Sequence, residues 1–205
     1  MHPAVHALTT PDKPAIIMGG RGETLSYLAL EERSNQGAQL FRSLGLRPSD
    51  AIALFLENDI RFLEICWAAQ RAGLYFTCIS SRLTAGEAAY IVRDCGAKVL
   101  IASSSLAPVG ELASLIPDVR LLTVGAELAS YPRYETEAAA MPVTRIADET
   151  SGMDMLYSSG TTGRPKGVRL PLSGLPIDQP SPLSVLMAGL FGLNQNTIYL
   201  SPAPL

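Results

Sequence analysis

The chain has 205 residues, of which 47% are hydrophobic and 17% charged, and its formal net charge at pH 7 is −3. This composition predicts a folded domain with a substantial core and excludes a disordered chain. The acidic balance, with no cluster of lysines and arginines, excludes a nucleic-acid-binding surface. The longest nearly continuous apolar run, 183–193, is too short to span a bilayer, and the N-terminus lacks the pattern of a signal peptide. We therefore expect a cytoplasmic protein without a transmembrane segment.

The cysteines and histidines argue against metal chemistry. Cys66, Cys78 and Cys95 are far apart and lie in apolar stretches, which favours buried free thiols over a disulfide or a metal site. The only histidines, His2 and His6, lie in what we interpret as an N-terminal tail. Neither a protein-held metal nor a histidine-based catalytic triad is expected, which removes most hydrolase chemistry.

The first part of the chain predicts a hairpin, a helix and a buried strand. Residues 15–18 and 23–25 are expected to pair across a glycine-rich turn. Ser26 is a predicted N-cap, and apolar residues then recur at helical spacing until Gly45 ends the helix. The continuous apolar run 51–56 is typical of a strand covered on both faces.

Helices and strands continue to alternate along the middle of the chain. Helices are predicted from residue 58 or 59 to Gly73, from the Thr84–Glu87 capping box to Gly96, and over 106–115. Strands are predicted at 74–79, 98–102 and 120–124. Three helices that end at a glycine, each followed by a β-rich run, predict an α/β fold with a mostly parallel sheet flanked by helices. The order of the strands cannot be read from the sequence.

The remaining elements are less regular. Residues 125–152 are interpreted as a surface connection with one short helix, and their acidic residues as a solvated face rather than a metal site. A strand at 153–157 and a short strand at 168–170 flank a glycine-rich loop, and 171–180 is predicted to be irregular. Ser181 should cap a core-facing helix that ends at Gly192, followed by a strand at 197–200.

The loop between the strands at 153–157 and 168–170 has the chemistry of a phosphate-binding segment. It reads SSGTTGRPKG from Ser158 to Gly167. Glycines let backbone N–H groups approach an anion, hydroxyls donate to phosphate oxygens, and Arg164 and Lys166 add positive charge. A flexible linker could share this composition. The position between two apolar strands, with Lys166 fixed between Pro165 and Gly167, favours phosphate binding.

Other known phosphate motifs do not fit this loop. A Walker A motif places Gly-Lys-Ser/Thr at the start of a helix, whereas Lys166 lies between a proline, which lacks a backbone donor, and a glycine, which disfavours a helix. No G-x-G-x-x-G follows a strand, and the motifs of protein kinases are absent from the sequence.

LYSSGTTGRPKGV closely resembles the signature loop of the adenylate-forming superfamily, which includes acyl- and aryl-CoA ligases, luciferases and peptide-synthetase adenylation domains. The match runs from Tyr157 to Val168. The segments 74–101 and 199–205 resemble two further stretches of that family, so the resemblance covers nearly the whole chain. The family fold that it implies is the first part of the ligase N-terminal domain, occupying 1–205.

The resemblance implies a reaction in two steps. A carboxylate attacks the α-phosphate of ATP to give an acyl-adenylate and pyrophosphate, with Mg²⁺, and the thiol of coenzyme A then displaces AMP. Positions that match the motif are implied to bind the β- and γ-phosphates, with the glycines allowing the loop to fold over them: Ser158, Ser159, Gly160, Thr161, Thr162, Gly163, Lys166 and Gly167. No catalytic residue is implied among the 205.

Several family segments are not found in the sequence. These are the Tyr-Gly-x-Thr-Glu segment, the Thr-Gly-Asp ribose segment, the hinge and the catalytic lysine of a small C-terminal domain. The usual Thr-His after the loop is replaced by Leu170-Pro171. We therefore expect an N-terminal portion of an AMP-forming acyl-CoA synthetase that is inactive by itself. The alternatives are a peptide-synthetase adenylation domain, or a non-catalytic module that binds a nucleotide or forms a homodimer through an exposed edge or helix.

Overall fold

A computed structural model describes residues 2–128, 130–158 and 164–201. The helices are α1 (Pro3–Thr9), α2 (Tyr27–Ser43), α3 (Arg61–Arg71), α4 (Ala85–Asp94), α5 (Val109–Leu115), α6 (Tyr134–Ala139) and α7 (Pro182–Leu190). The strands are β1 (Pro14–Met18), β2 (Glu23–Ser26), β3 (Ala51–Phe55), β4 (Tyr75–Cys78), β5 (Ala97–Ser103), β6 (Arg120–Val124), β7 (Met153–Asp154), β8 (Leu156–Ser158) and β9 (Lys166–Val168).

The central sheet has five parallel strands in the order β6-β5-β3-β4-β7. This confirms the predicted α/β fold with a mostly parallel sheet. The chain moves from β3 to β4 on one side and then returns to place β5 on the other side of β3. β3 is consequently central, and all five of its residues are buried. The predicted hairpin is also confirmed, because β1 and β2 pair antiparallel.

Two apolar clusters cover the two faces of the sheet. One lies against α2, α3 and α6 and includes Phe41, Ile65 and Tyr134. The other lies against α4 and α5 and includes Val92 and Leu112. Successive residues of β3 belong to the two clusters alternately, as the period of a strand requires. Right-handed crossovers explain why the helices divide between the two faces. The chain passes through α3 as it moves in one direction along the sheet, from β3 to β4. It passes through α4 and α5 as it moves in the other direction, from β4 to β5 and from β5 to β6.

The predicted helix boundaries rest on local signals that the structure confirms. The Ser26 hydroxyl accepts a hydrogen bond from the first turn of α2, and Thr84 and Glu87 form a complete capping box on α4. Gly45 and Gly96 have φ of 84° and 67° beyond the ends of α2 and α4, in the left-handed region that glycine enters without a steric penalty.

The prediction of an N-terminal tail is wrong, because residues 3–9 form α1. His2 is its N-cap, and Nδ1 of His2 accepts a hydrogen bond from the backbone N–H of Ala4 over 3.2 Å. The imidazole is buried and meets the Trp67 ring edge-on with 4.9 Å between ring centroids. A seven-residue helix carries too few turns to show an apolar period, which is why the pattern was not visible.

The solvated acidic face expected within 125–152 is also wrong in part. The short helix is present as α6, but the side chains of Glu135 and Glu149 are only 16% and 13% exposed. Glu149 lies 3.6 Å from the guanidinium of Arg71, a side chain with no exposed surface, which also pairs with Glu31. Buried carboxylates need such partners, and these come from distant parts of the chain.

Two predictions near the end of the chain are wrong. The helix α7 forms with Ser181 as its N-cap, but none of its residues is buried, so it does not face the core of the described chain. Residues 197–200 form no strand, and Ile198, Tyr199 and Leu200 are at least four-fifths exposed. An amphipathic stripe predicts that a helix forms, whereas burial also needs a facing surface, which the described residues do not provide.

The three cysteines are free thiols. Cys66 and Cys95 are buried as predicted, but Cys78 is exposed, whereas the next residue, Ile79, is buried in the other core cluster. Among the described residues, no group of three or more His, Cys, Asp or Glu side chains is placed to hold a metal ion. None of the helices in those residues is long and apolar enough to cross a membrane.

Candidate functional site

The predicted strand at 153–157 divides into two strands with different partners. β7 joins the central sheet beside β4, whereas β8 leaves the sheet and pairs antiparallel with β9. In this ribbon Tyr157 lies opposite Gly167, and Ser158 lies opposite Lys166. β9 begins two residues earlier than the predicted strand at 168–170, so Lys166 and Gly167 belong to a strand rather than to the loop.

The β8–β9 ribbon brings the two ends of the predicted phosphate loop together. The Ser158 hydroxyl donates to the carbonyl of Lys166 over 3.4 Å, and both residues are exposed to solvent. The other predicted loop residues lie outside the described part of the chain: Ser159, Gly160, Thr161, Thr162 and Gly163. Their contacts with phosphate stay a prediction. An anion that approaches this end of the ribbon would meet the Lys166 ammonium without first displacing protein.

Helix α4 holds both strands of the ribbon. The Tyr157 hydroxyl donates to a carboxylate oxygen of Asp94 over 2.5 Å, and the Tyr90 hydroxyl donates to the carbonyl of Pro165 over 3.1 Å. Burial, followed by the hydrogen bond to Asp94, raises the pKa of Tyr157 above its usual value. The Arg164 guanidinium lies 5.4 Å from the centroid of the Tyr90 ring, within the range of a cation–π interaction. The ribbon is therefore anchored to α4 on each side of the loop.

Gly167 is required by packing inside the ribbon. A Cβ atom at this position would lie 2.5 Å from Cε of Met155 and 2.8 Å from Cζ of Tyr157, closer than real Cβ atoms approach such groups. The motif had indicated a different role, in which the glycine lets the loop fold over phosphates. The structure adds that a Cβ here would require the ends of the Met155 and Tyr157 side chains to move.

A second set of contacts holds the chain beyond β9. The Tyr75 hydroxyl donates to the carbonyl of Leu170 over 2.6 Å. The Arg169 guanidinium stacks 4.1 Å from the centroid of the Tyr75 ring and donates to the carbonyl of Ser49 over 2.7 Å. Sequence reasoning missed these positioning residues. The one available signal was a tyrosine in the strand predicted at 74–79, because the hydroxyl of a tyrosine that packs in a sheet needs a partner.

The strand that feeds the loop is fixed to the carboxyl end of β4. The Met155 N–H donates to the carbonyl of Phe76 over 2.9 Å, and the Thr77 hydroxyl donates to the carbonyl of Met155 over 3.2 Å. Gly152 precedes β7, and a Cβ there would lie 2.3 Å from the carbonyl oxygen of Leu74. The loop therefore starts at the edge of a parallel sheet where the strands' carboxyl ends lie, which is where open α/β sheets bind ligands.

A separate crevice of about 240 Å³ lies at the carboxyl ends of β3, β5 and β6. Two of its hydroxyls bond to Glu57: the Ser103 hydroxyl accepts from the Glu57 N–H over 3.1 Å, and the Ser105 hydroxyl donates to the Glu57 carboxylate. Two carboxylates, Glu57 and Asp59, line the crevice with one cation, Arg21, so its charge suits an anion less well than the exposed end of the ribbon does.

Comparison with protein families identifies the chain's relatives. A family model described as AMP-binding enzyme matches residues 4–205. The fatty acid–[acyl-carrier-protein] ligase ScoC of Streptomyces coeruleorubidus is 31% identical over 165 residues, which cover 80% of this chain and 31% of ScoC. The 4-hydroxybenzoate–CoA/benzoate–CoA ligase of Rhodopseudomonas palustris is 35% identical over 71% of this chain and 28% of that enzyme. The chain thus spans about a third of the length of these relatives.

Solved structures share the fold. The anthranilate CoA ligase AuaEII in complex with anthranoyl-AMP has a TM-score of 0.71 at 23% identity, over 81% of this chain and 33% of that one. The inhibitor-bound N-terminal domain of FACL13 from Mycobacterium tuberculosis has a TM-score of 0.69 at 25% identity, over 81% of this chain and 42% of that one.

Proposed function

Because the chain belongs to the AMP-binding enzyme family of adenylate-forming ligases, we propose that its segment 158–167 binds the β- and γ-phosphates of ATP. The observation that carries this proposal is the pairing of Ser158 with Lys166. It places Ser158 and Lys166 opposite each other at the two ends of 159–163, with two threonines, a serine and two glycines between them. Three kinds of phosphate donor therefore belong to one short, anchored segment.

The chemical role proposed for the loop is electrostatic. When a carboxylate attacks the α-phosphate, negative charge builds up on the departing pyrophosphate. Lys166 and the hydroxyls of Ser158, Ser159, Thr161 and Thr162 would stabilise that charge, and backbone N–H groups at the glycines would add to it. Anchoring by Tyr157 and Tyr90 keeps the ends of the loop in place, so less conformational entropy is lost on binding.

Magnesium and coenzyme A are proposed only for the whole reaction. Mg²⁺ prefers phosphate and carboxylate oxygens and keeps several waters. Because the described residues contain no cluster of metal ligands, we expect the ion to arrive on the nucleotide, where it would neutralise part of the phosphate charge. No described side chain is assigned to coenzyme A.

We propose that the whole protein is an AMP-forming acid–thiol ligase, with coenzyme A as the thiol. The two relatives support the acid–thiol class but differ in the thiol that accepts the acyl group. The name of ScoC specifies an acyl-carrier protein, whereas that of the Rhodopseudomonas palustris ligase specifies CoA. A peptide-synthetase adenylation domain is the second candidate, because Gramicidin S synthase 2 of Aneurinibacillus migulanus is 29% identical over 78% of this chain. Thioester formation assayed with coenzyme A and with a carrier protein separates these acceptors.

Calorimetric titration of Mg-ATP into the 205-residue chain tests the phosphate loop. Replacing Lys166 by alanine should weaken binding by about 10- to 100-fold, because a hydrogen bond to a charged group contributes about 1.5–3 kcal/mol. Lys98→Ala is the matched control, since Lys98 loses the same charge but pairs with Asp50 at 2.7 Å, at the opposite end of the sheet. Equal affinity in the Lys166 variant and the wild type would refute the assignment.

Carboxylate-dependent ATP–pyrophosphate exchange tests the reaction itself. The 205 residues carry the loop but not the family's adenine and ribose segments, so we expect this chain to bind ATP without supporting exchange. Exchange by the chain alone would contradict that expectation. A protein that also contains those segments should catalyse exchange. If it binds ATP and shows no exchange with any carboxylate, the non-catalytic nucleotide-binding module becomes the better description.

Dimerisation and location are further proposals. We propose that α7, whose apolar side chains Leu183, Leu186 and Leu190 are all exposed, can bury them against a second copy of the chain. Light scattering should then show a dimer that Leu186→Lys disrupts, and a monomeric wild-type chain would refute this. The free thiols of the protein support a cytoplasmic location, where cysteines are kept reduced.

A further inference from the structure

Two of the three cysteines lie together, on the face of the sheet covered by α3. Cys66 belongs to α3, and Cys78 is the last residue of β4. The two thiols are close enough for each to shift the pKa of the other. Neither residue belongs to the loop at 158–167. The pair could not be predicted from the sequence, because 11 residues and a change of element separate the two cysteines.

The register of the sheet places the Cys78 side chain on the same face as α3. In β4, Phe76 packs against the cluster that contains Cys66, and Cys78 follows two residues later, so both side chains point to that face. The neighbouring strand agrees. Leu54 of β3 is opposite Cys78, and Leu54 belongs to the same cluster.

The two cysteines also lie at similar distances from the turn that joins α3 to β4, measured along each element. Cys66 precedes the last residue of α3 by five positions, which at 1.5 Å per residue is about 7.5 Å along the helix. Cys78 lies three positions into β4, about 10 Å along the strand. Helical side chains tilt toward the helix N-terminus. Since α3 runs antiparallel to β4, this tilt moves the sulfur of Cys66 toward the level of Cys78.

The environments of the two thiols differ in the way that an oxidation site requires. Cys78 is exposed, and the neighbouring Cys66 thiol lowers its pKa against the opposing effects of desolvation and Asp154. Cys66 is buried, and the Cys78 thiol and burial raise its pKa. The thiol that a peroxide in solution reaches first is therefore Cys78, with the Cys66 thiol behind it. Cys95 is buried on the other face of the sheet, and its thiol donates to the carbonyl of Val92 over 3.4 Å.

We propose that Cys66 and Cys78 form a site of oxidative modification that hydrogen peroxide converts to an intramolecular disulfide. The Cys78 thiolate attacks one peroxide oxygen, the O–O bond breaks, and hydroxide leaves and takes a proton to become water, giving a sulfenic acid. The Cys66 sulfur then attacks the Cys78 sulfur, and the hydroxyl leaves with the thiol proton as a second water. Two thiols are oxidised and one peroxide is reduced to two waters.

Peptide mapping after treatment with hydrogen peroxide tests the proposal. The native chain should lose two of its three free thiols, and a non-reducing map should show one cross-link, between the peptides that contain Cys66 and Cys78, which a thiol reductant reverses. Cys78 should react at least about tenfold faster than Cys95, because a buried thiol with a raised pKa reacts slowly. Cys95→Ser is the matched control and should form the same cross-link at the same rate.

Single variants separate the order of the two steps. In Cys66→Ser the sulfenic acid at Cys78 has no partner and should be trapped by dimedone. In Cys78→Ser, Cys66 should stay reduced at the same peroxide dose. The proposal is overturned if the wild-type chain retains three thiols, if the cross-link involves Cys95, or if the product is a disulfide between two chains.

Discussion

Lowering the pH should release α1 from the rest of the protein through a single histidine. His2 caps this helix with Nδ1, and its buried Nε2 has no hydrogen-bond partner among the residues that the structure describes. Burial, reinforced by the positive charges of Arg71, Arg145 and the N-terminal amino group, lowers the pKa of His2 from 6.5 to about 3. Protonation would place a hydrogen on Nδ1, which could then no longer accept the hydrogen bond from the Ala4 N–H.

The size of the effect follows from the two pKa values. When α1 is released, His2 binds a proton near pH 6.5, whereas in the docked state it does so only near pH 3. The docking free energy is therefore constant above pH 6.5 and falls as the pH decreases from 6.5 toward 3. Each pH unit in this window changes it by about 1.4 kcal/mol, so at pH 5 docking is weaker by about 2 kcal/mol, or roughly 30-fold.

Trp67 provides the assay, because it is the only tryptophan and the His2 ring meets it edge-on. Its emission should change between pH 7 and pH 5, and amide exchange in α1, corrected for the intrinsic rate, should accelerate by about 30-fold. His2→Asn keeps an N-cap acceptor and cannot titrate, so it should abolish the change, whereas His6→Gln should keep most of it. A pH response that persists in His2→Asn would refute the reasoning.

Two further predictions concern stability, measured by urea denaturation. Gly152→Ala should lower the free energy of unfolding by about 1–3 kcal/mol, because the added Cβ would overlap the backbone of Leu74. Gly86→Ala, in a helix with open space around the new atom, should raise it by about 0.5–1 kcal/mol; equal effects of the two would contradict the packing argument. Arg71→Met should lower the free energy of unfolding by about 3–5 kcal/mol, because the Glu31 carboxylate would lose its buried partner. An unchanged urea midpoint would show that the ion pair contributes nothing to stability.

The helices of the α/β core could be predicted because their signals are local. The Thr84–Glu87 capping box and the glycines after α2 and α4 act within one turn of the chain. Their meaning therefore does not depend on where the segment packs. The continuous apolar run at β3 likewise predicted a strand buried on both faces. The order of the strands depends on which helices share a face, and a single sequence does not contain that information.

The predictions near the chain ends were wrong because the contacts that decide them are not local. An apolar stripe on α7 predicts amphipathicity, but the surface that would cover it must come from outside the helix, and the described residues supply none. At the other end, α1 is held by a histidine cap and by contact with Trp67. Both depend on tertiary structure rather than on a repeating pattern.

The candidate site also combines local features, which the sequence shows, with supports that come from distant parts of the chain. A candidate phosphate loop could be predicted, because the glycines, hydroxyls and Lys166 are contiguous in the sequence. The supports could not be predicted, because Asp94 and Tyr90 lie on α4, far from the loop in sequence, and meet it only in the folded chain. Gly167 shows the limit most clearly. Its motif position indicated a glycine, but the reason visible in the structure is the close approach of Met155 and Tyr157.

The position of β7 has a consequence for the order in which the protein folds. Tyr75 pairs with Met153, a longer separation along the chain than in any other strand pair of the central sheet. Pairing of distant segments loses more chain entropy and is slower. During synthesis β3 to β6 can assemble before Met153 has left the ribosome. We therefore expect the edge that carries the candidate phosphate loop to join the central sheet after its other four strands have paired.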